Sequence, residues 1–223
     1  MNSSAPTRRR VAPVNEGRSS PPLLRRAGWI SITVLATLTA LVAARYFTLD
    51  PNTFLAQQRA VYLAHLTPLL LHVGGGCLAL ALGPWQFLPW LRAGRPTLHR
   101  VIGRVYLVSV LAVAAGALLL APTGLVGPIA PLGFSMLAVL LLVTSTAAYV
   151  TVRRRDYARH QVWMVRSYAL IFASVTFRLW LTVLPAVGLP FDQAYGSGAW
   201  TSWLIDLLVA ERVIAGRGRR RLT

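Results

Sequence analysis

The chain has 223 residues, of which 55% are hydrophobic and 13% charged, about half the ~25% charged fraction of an ordinary soluble domain. The charge it keeps is one-sided, 23 basic residues (all arginine) against 6 acidic ones for a formal +17. Together these figures argue against a soluble enzyme, a nucleic-acid-binding domain and a disordered chain, and the single Cys77 excludes an intrachain disulfide or a thiolate zinc site.

In chain order, residues 1–27 are rich in Pro, Ser and Arg without apolar periodicity, which predicts a disordered cytoplasmic tail. A membrane domain over 28–214 follows, because six stretches reach the ~20 apolar residues that cross a bilayer. They are residues 29–47, 61–83, 99–120, 131–152, 160–184 and 196–214. Arg25-Arg26 ahead of the first imitates a leader, but a leader's apolar region runs about 7–15 residues, and Trp29 to Phe47 is longer. Residues 215–223 form a basic cytoplasmic tail. Asp50-Pro51-Asn52, Gly83-Pro84, Pro122 to Pro131, Arg153 to Asp156 and Pro185 to Gly198 mark the breaks. The expected fold is all-α, a polytopic bundle of six transmembrane helices.

Arginine placement sets its orientation. Arg8, Arg9, Arg10, Arg18, Arg25 and Arg26 lie before the first span. Arg92, Arg95, Arg100 and Arg104 surround the second-to-third connection, and Arg153, Arg154, Arg155 and Arg159 the fourth-to-fifth. The C-terminus carries Arg212, Arg217, Arg219, Arg220 and Arg221, whereas the alternate connections hold only Arg45 and Arg59. Both termini are therefore expected in the cytoplasm, with the protein in a bacterial cytoplasmic (inner) membrane. The lipid bilayer is the expected partner, with a membrane-protein partner or a second copy as further options. Nucleic acid is not expected, because positive-inside topology already accounts for the basic ends.

Ionisable groups at membrane depth are default functional candidates. His65 and His72 lie in the second span, and His99 and Arg104 at the start of the third. His160, Arg166 and Arg178 lie in the fifth, and Asp206 and Glu211 in the sixth. At 100° per residue, His160, Met164, Ser167, Ile171, Ser174 and Arg178 share one helix face. Equal depth predicts a His72–Asp206 pair, and Glu211 is within reach of Arg166 or Arg104. Pro68 and Gly74-Gly75-Gly76 interrupt the second span and permit close backbone approach.

Two strings, Leu98-His99-Arg100-Val101-Ile102-Gly103-Arg104-Val105-Tyr106 and Arg159-His160-Gln161-Val162-Trp163-Met164-Val165-Arg166-Ser167-Tyr168, carry a resemblance. With His65, His72, Gly75-Gly76, Gly83-Pro84-Trp85-Gln86-Phe87 and Phe177-Arg178, the chain resembles bacterial membrane proteins of the domain of unknown function 2306 over roughly residues 60–212. The resemblance implies a multi-helix membrane fold without an assigned activity. Asp206 departs from it, standing where the pattern implies an asparagine before Glu211.

The constellation supports a b-type haem or quinone-linked electron-transfer protein. His99 and His160 begin separate helices at one depth, as two axial ligands must, and Arg104, Arg166 and Arg100 could bind haem propionates. His72 is a further cofactor-binding candidate, and the only metal role foreseen for His99 and His160 is on haem iron. A transporter or proton/anion conductor is the alternative, using the fifth-helix stripe with His72 and Asp206. An assembly subunit anchored by Trp85, Trp90, Trp200 and Trp203 is another. No catalytic residue is assigned, because no nucleophile elbow, phosphate loop or zinc-protease motif occurs.

Overall fold

The computed structural model describes residues 22–219, and among them every regular element is a helix. The long helices are α1 (Pro22–Ala44), α3 (Leu66–Leu82), α5 (Pro96–Leu120), α6 (Ile129–Arg153), α7 (Tyr157–Ala186) and α8 (Phe191–Arg219). Two short ones, α2 (Arg59–Ala64) and α4 (Pro89–Gly94), precede α3 and α5. Residues 1–21 of the expected N-terminal tail lie outside the described residues, and α1 has begun by Pro22. Of the expected C-terminal tail, residues 220–223 lie outside them, and α8 continues to Arg219.

Local sequence explains the boundaries. Pro89 and Pro96 open their helices, where a missing N–H costs nothing. Asp156 caps α7 by accepting from the Arg159 N–H at 3.0 Å. The expected second span is two helices, because His65 takes non-helical angles (φ −126°, ψ 47°) between α2 and α3. Pro68 then falls in the first turn of α3, where it breaks nothing.

Among the described residues, five helical stretches are long and apolar enough to cross a membrane: Arg26–Thr48, Leu66–Phe87, Pro96–Thr123, Ile129–Arg153 and Tyr157–Ala186. The expected sixth is not among them. At 29 residues α8 is long enough, ~44 Å at 1.5 Å per residue, but Asp206, Glu211, Arg212 and Arg217 dilute its apolar character. Its outward residues are nevertheless apolar, with Leu204, Ile205, Leu208, Val209 and Val213 exposed. The other long helices are similar: Leu38 and Leu41 on α1, Val108 and Leu111 on α5, Val139 and Val143 on α6, and Leu179 and Val183 on α7 are exposed. Such surfaces suit hydrocarbon rather than water.

Inside, α3 crosses α5 at backbone contact. A Cβ on Gly75 would lie 2.5 Å from the Ser109 carbonyl oxygen, and one on Gly116 2.5 Å from that of Pro68. The two glycines therefore fix how closely these helices pack. Tyr106, Val110, Leu141, Leu170 and Val175 fill the core among α5, α6 and α7, and α8 packs along α7 and α6.

Candidate functional site

A cavity of about 860 Å³ opens at the end of the bundle that holds the α4–α5 and α6–α7 turns. Pro96 and the Asp156 cap start their helices so that His99 and His160 both fall in a first turn, and both side chains line this cavity. The His160 Nδ1 lies 2.8 Å from the Ala148 carbonyl. A carbonyl only accepts, so Nδ1 carries the proton and Nε2 keeps a lone pair. The His99 Nδ1 is enclosed with no hydrogen-bond partner, and so is the amide nitrogen of Gln86, another lining residue that is 6% exposed.

Arg92, Arg100, Arg104, Arg153 and Arg155 line the same cavity and no carboxylate does. Arg155 holds a positive φ of 62°, at a helix C′ position that usually takes glycine. Its N–H donates to the Val152 carbonyl and the next N–H, of Asp156, to that of Thr151, both at 3.0 Å. Apolar side chains, Phe87, Leu107, Val152 and Met164, complete the wall. Gly103 also lines it, and a Cβ there would sit 3.3 Å from the Gln86 Oε1.

Other predicted residues lie elsewhere. Arg166 faces α8, not the cavity: its Nε and Nη2 donate to the two Glu211 carboxylate oxygens at 2.6 and 3.0 Å, and its guanidinium lies 4.7 Å from the Trp163 ring centre. The expected His72–Asp206 bond is absent. The His72 Nδ1–H donates to the Val113 carbonyl at 3.2 Å, whereas Asp206 accepts from the Thr176 hydroxyl at 3.0 Å. Each group has found the nearest partner on the helix it packs against. His65 is exposed at the α2–α3 break. Of the four tryptophans expected as anchors, Trp85 and Trp90 are exposed, but Trp203 is buried and Trp200 donates to the Ile129 carbonyl at 3.0 Å.

Toward the opposite end, a cavity of about 320 Å³ lies among α3, α5, α6, α7 and α8. His72, Ser174 and Arg178 line it, with Tyr46, Gln58 and Tyr62 from the segment joining α1 to α3. Between the two cavities the fully buried Ser167 hydroxyl lies 2.9 Å from the Tyr106 hydroxyl and 2.8 Å from that of Ser145. The polar stripe of α7 thus runs from one cavity through this hydroxyl cluster to the other.

The arginine-end cavity gathers His99, His160 and Arg104, which the sequence reading groups together, and separates Arg166 and His72 from them. Gln86, Arg92, Arg153 and Arg155 escape that reading: the arginines look like topology signals, and nothing local shows that Gln86 turns inward. Among the described residues no three His, Cys, Asp or Glu side chains converge to hold a bare metal ion. The lining holds the residue types that haem asks of a protein, two imidazoles and cationic partners for its carboxylates, its porphyrin supplying the other four iron ligands. Compared with known proteins, residues 69–214 match the family model described as predicted membrane protein (DUF2306). No curated protein and no solved structure matches the chain.

Proposed function

The chain belongs to the DUF2306 family of predicted membrane proteins, and from that premise we propose a six-span protein of the bacterial cytoplasmic membrane, both termini inside, that carries electrons on haem b at its arginine end. The observation that carries the haem reading is the His160 Nδ1–H bond to the Ala148 carbonyl at 2.8 Å. Metal-binding histidines are typically oriented by such a bond, which leaves the other nitrogen for the metal. His99, on a separate helix, lines the same cavity and is the second ligand. Arg92, Arg100, Arg104, Arg153 and Arg155 would hold the propionates, since guanidinium forks match carboxylates, and Phe87, Leu107 and Met164 would supply apolar contact. Bound haem would supply one-electron redox chemistry. The chain's own part is ligation, charge neutralisation and exclusion of water from one ring face.

The sixth span is α8. Asp206 bonds Thr176 and Glu211 pairs with Arg166, while Leu204, Ile205, Leu208 and Val209 turn outward. That distribution suits a helix between protein and lipid. Reporter fusions near residues 52, 125 and 192 should read external, and those near 93, 156 and 220 internal. An internal reading at 192 would remove the sixth span.

The haem reading is tested by the visible spectrum of purified protein, oxidised and then dithionite-reduced. A Soret band with sharp reduced α and β bands, lost in both His99→Ala and His160→Ala, is expected. Colourless protein from cells supplied with haem would end this reading in favour of transport, with the cavities as the two ends of a path past Ser167.

A further inference from the structure

The second cavity differs in chemistry from the first and points to a different ligand. Most of its wall is apolar, with Leu69, Val113, Leu137, Leu141 and Ile171 among the lining side chains. Beside the Tyr46, Tyr62 and Tyr195 hydroxyls and the Gln58 amide, its polar lining includes Ser202, Arg178 and His72. The Ser202 hydroxyl lines it, 1% exposed and without a hydrogen-bond partner. Arg178 uses one Nη1–H on the Ser174 carbonyl at 2.9 Å, and a guanidinium has five N–H donors. His72 is fixed with its Nδ1–H on Val113, so its Nε2 is an acceptor.

This inventory excludes several ligand classes. No carboxylate lines the cavity, so a cation finds no counter-charge. A small hydrated anion would satisfy Arg178 but would leave an apolar space of about 320 Å³ unfilled. That volume is at the lower end of small-molecule pockets, ~300–1,000 Å³. The fitting occupant has an apolar ring and oxygens that accept from Arg178 and Ser202. With a surface of exposed apolar residues around the bundle, it would arrive from the lipid.

We propose that this cavity binds the head group of a lipid-soluble quinone or quinol, with Arg178 and Ser202 donating to its oxygens and His72 Nε2 accepting from a quinol hydroxyl. The arginine end suits such a head group less well, because five guanidiniums without an acid call for formal negative charge. The proposal concerns binding alone and does not depend on haem at the other end.

The test is equilibrium binding of ubiquinone-1 and menadione to the full-length protein in detergent micelles. Saturable binding is expected at one molecule per chain. Arg178→Gln should weaken it about tenfold, the effect expected for one charge-assisted hydrogen bond. Ser202→Ala, which removes only an unpartnered hydroxyl, should weaken it severalfold without lowering the melting temperature. His72→Gln should keep binding better than His72→Leu, because only the amide retains an acceptor. Absence of saturable binding by the unmodified protein would overturn the proposal. So would unchanged affinity in Ser202→Ala and Arg178→Gln, loss of binding in Arg104→Gln instead, or equal competition by chloride or benzoate, which would indicate an anion site.

Discussion

The two cavities lie along one stripe of α7, yet they differ sharply in charge. At the arginine end five guanidiniums and two imidazoles line a cavity formed at helix starts and turns. At the other end one guanidinium, one imidazole and a few hydroxyls are set in apolar walls, and His72 and Arg178 are each held by a backbone carbonyl. Charge can accumulate where side chains reach water or head groups, since like charges there are screened over ~8–10 Å. A buried polar group such as His72 is held by its own partner, because an unpartnered one in a low dielectric costs several kcal/mol. The contrast extends to the backbone. Gly116 and Gly75 place the main chains of α3 and α5 in direct contact beside the apolar cavity, whereas Gly103 at the arginine end meets only the end of a side chain.

The largest effect should come from testing that difference in construction. Gly116→Val would push a Cβ to 2.5 Å from the Pro68 carbonyl oxygen and 2.6 Å from the His72 nitrogen. Neither backbone atom can give way without separating the helices. The expected cost is ~3 kcal/mol or more, seen as a collapse in folded yield and melting temperature. Gly103→Ala meets only the Gln86 Oε1 at 3.3 Å and should shift stability by ~1 kcal/mol or less. Equal losses in the two variants would erase the distinction.

A smaller effect is expected at the layer dividing the cavities. Ser167→Ala leaves the buried Tyr106 and Ser145 hydroxyls without their shared partner, at a cost of ~1–3 kcal/mol. Thermal melting measures that cost. If the layer separates the cavities only by packing, cofactor spectra and quinone binding should stay unchanged in the variant.

Arg155→Gly should act oppositely on stability and binding. Glycine suits the positive φ of 62° and should raise stability by ~1 kcal/mol. Removing one of the lining guanidiniums should at the same time weaken retention of an anionic ligand at that end, with no change in the apolar cavity. A variant that gains stability and keeps full retention would show that Arg155 serves only the turn.

Asp206→Asn should have the smallest effect. The amide oxygen still accepts from the Thr176 hydroxyl, so the change should stay within ~0.5 kcal/mol by thermal melting. A large loss would show that the charge itself, rather than the hydrogen bond, matters between α7 and α8.

The all-helical class and the apolar character of five long helices are legible from the sequence because hydropathy and proline act locally. The face shared by His160, Ser167, Ser174 and Arg178 is legible too, since a 3.6-residue period needs no knowledge of neighbours. The same holds for His99 and His160 at one end, because each follows a helix start. What each side chain touches is not legible. Asp206 meets Thr176 rather than His72 because packing between whole helices sets their rotation and stagger. Examples are Gly198, whose Cβ would lie 3.0 Å from the Phe177 and Trp180 rings, and Gly83, whose Cβ would lie 2.1 Å from the Tyr168 ring. Arg166 goes to Glu211 for the same reason. The helix break at His65 also depends on context, as histidine has no strong local preference to end a helix. Sequence alone thus determines which residues lie in long apolar helices and which of them share a helix face. Tertiary structure decides which of them meet, because a rotation or slide of one helix against another changes every pairing without changing any helix's own hydrophobic pattern.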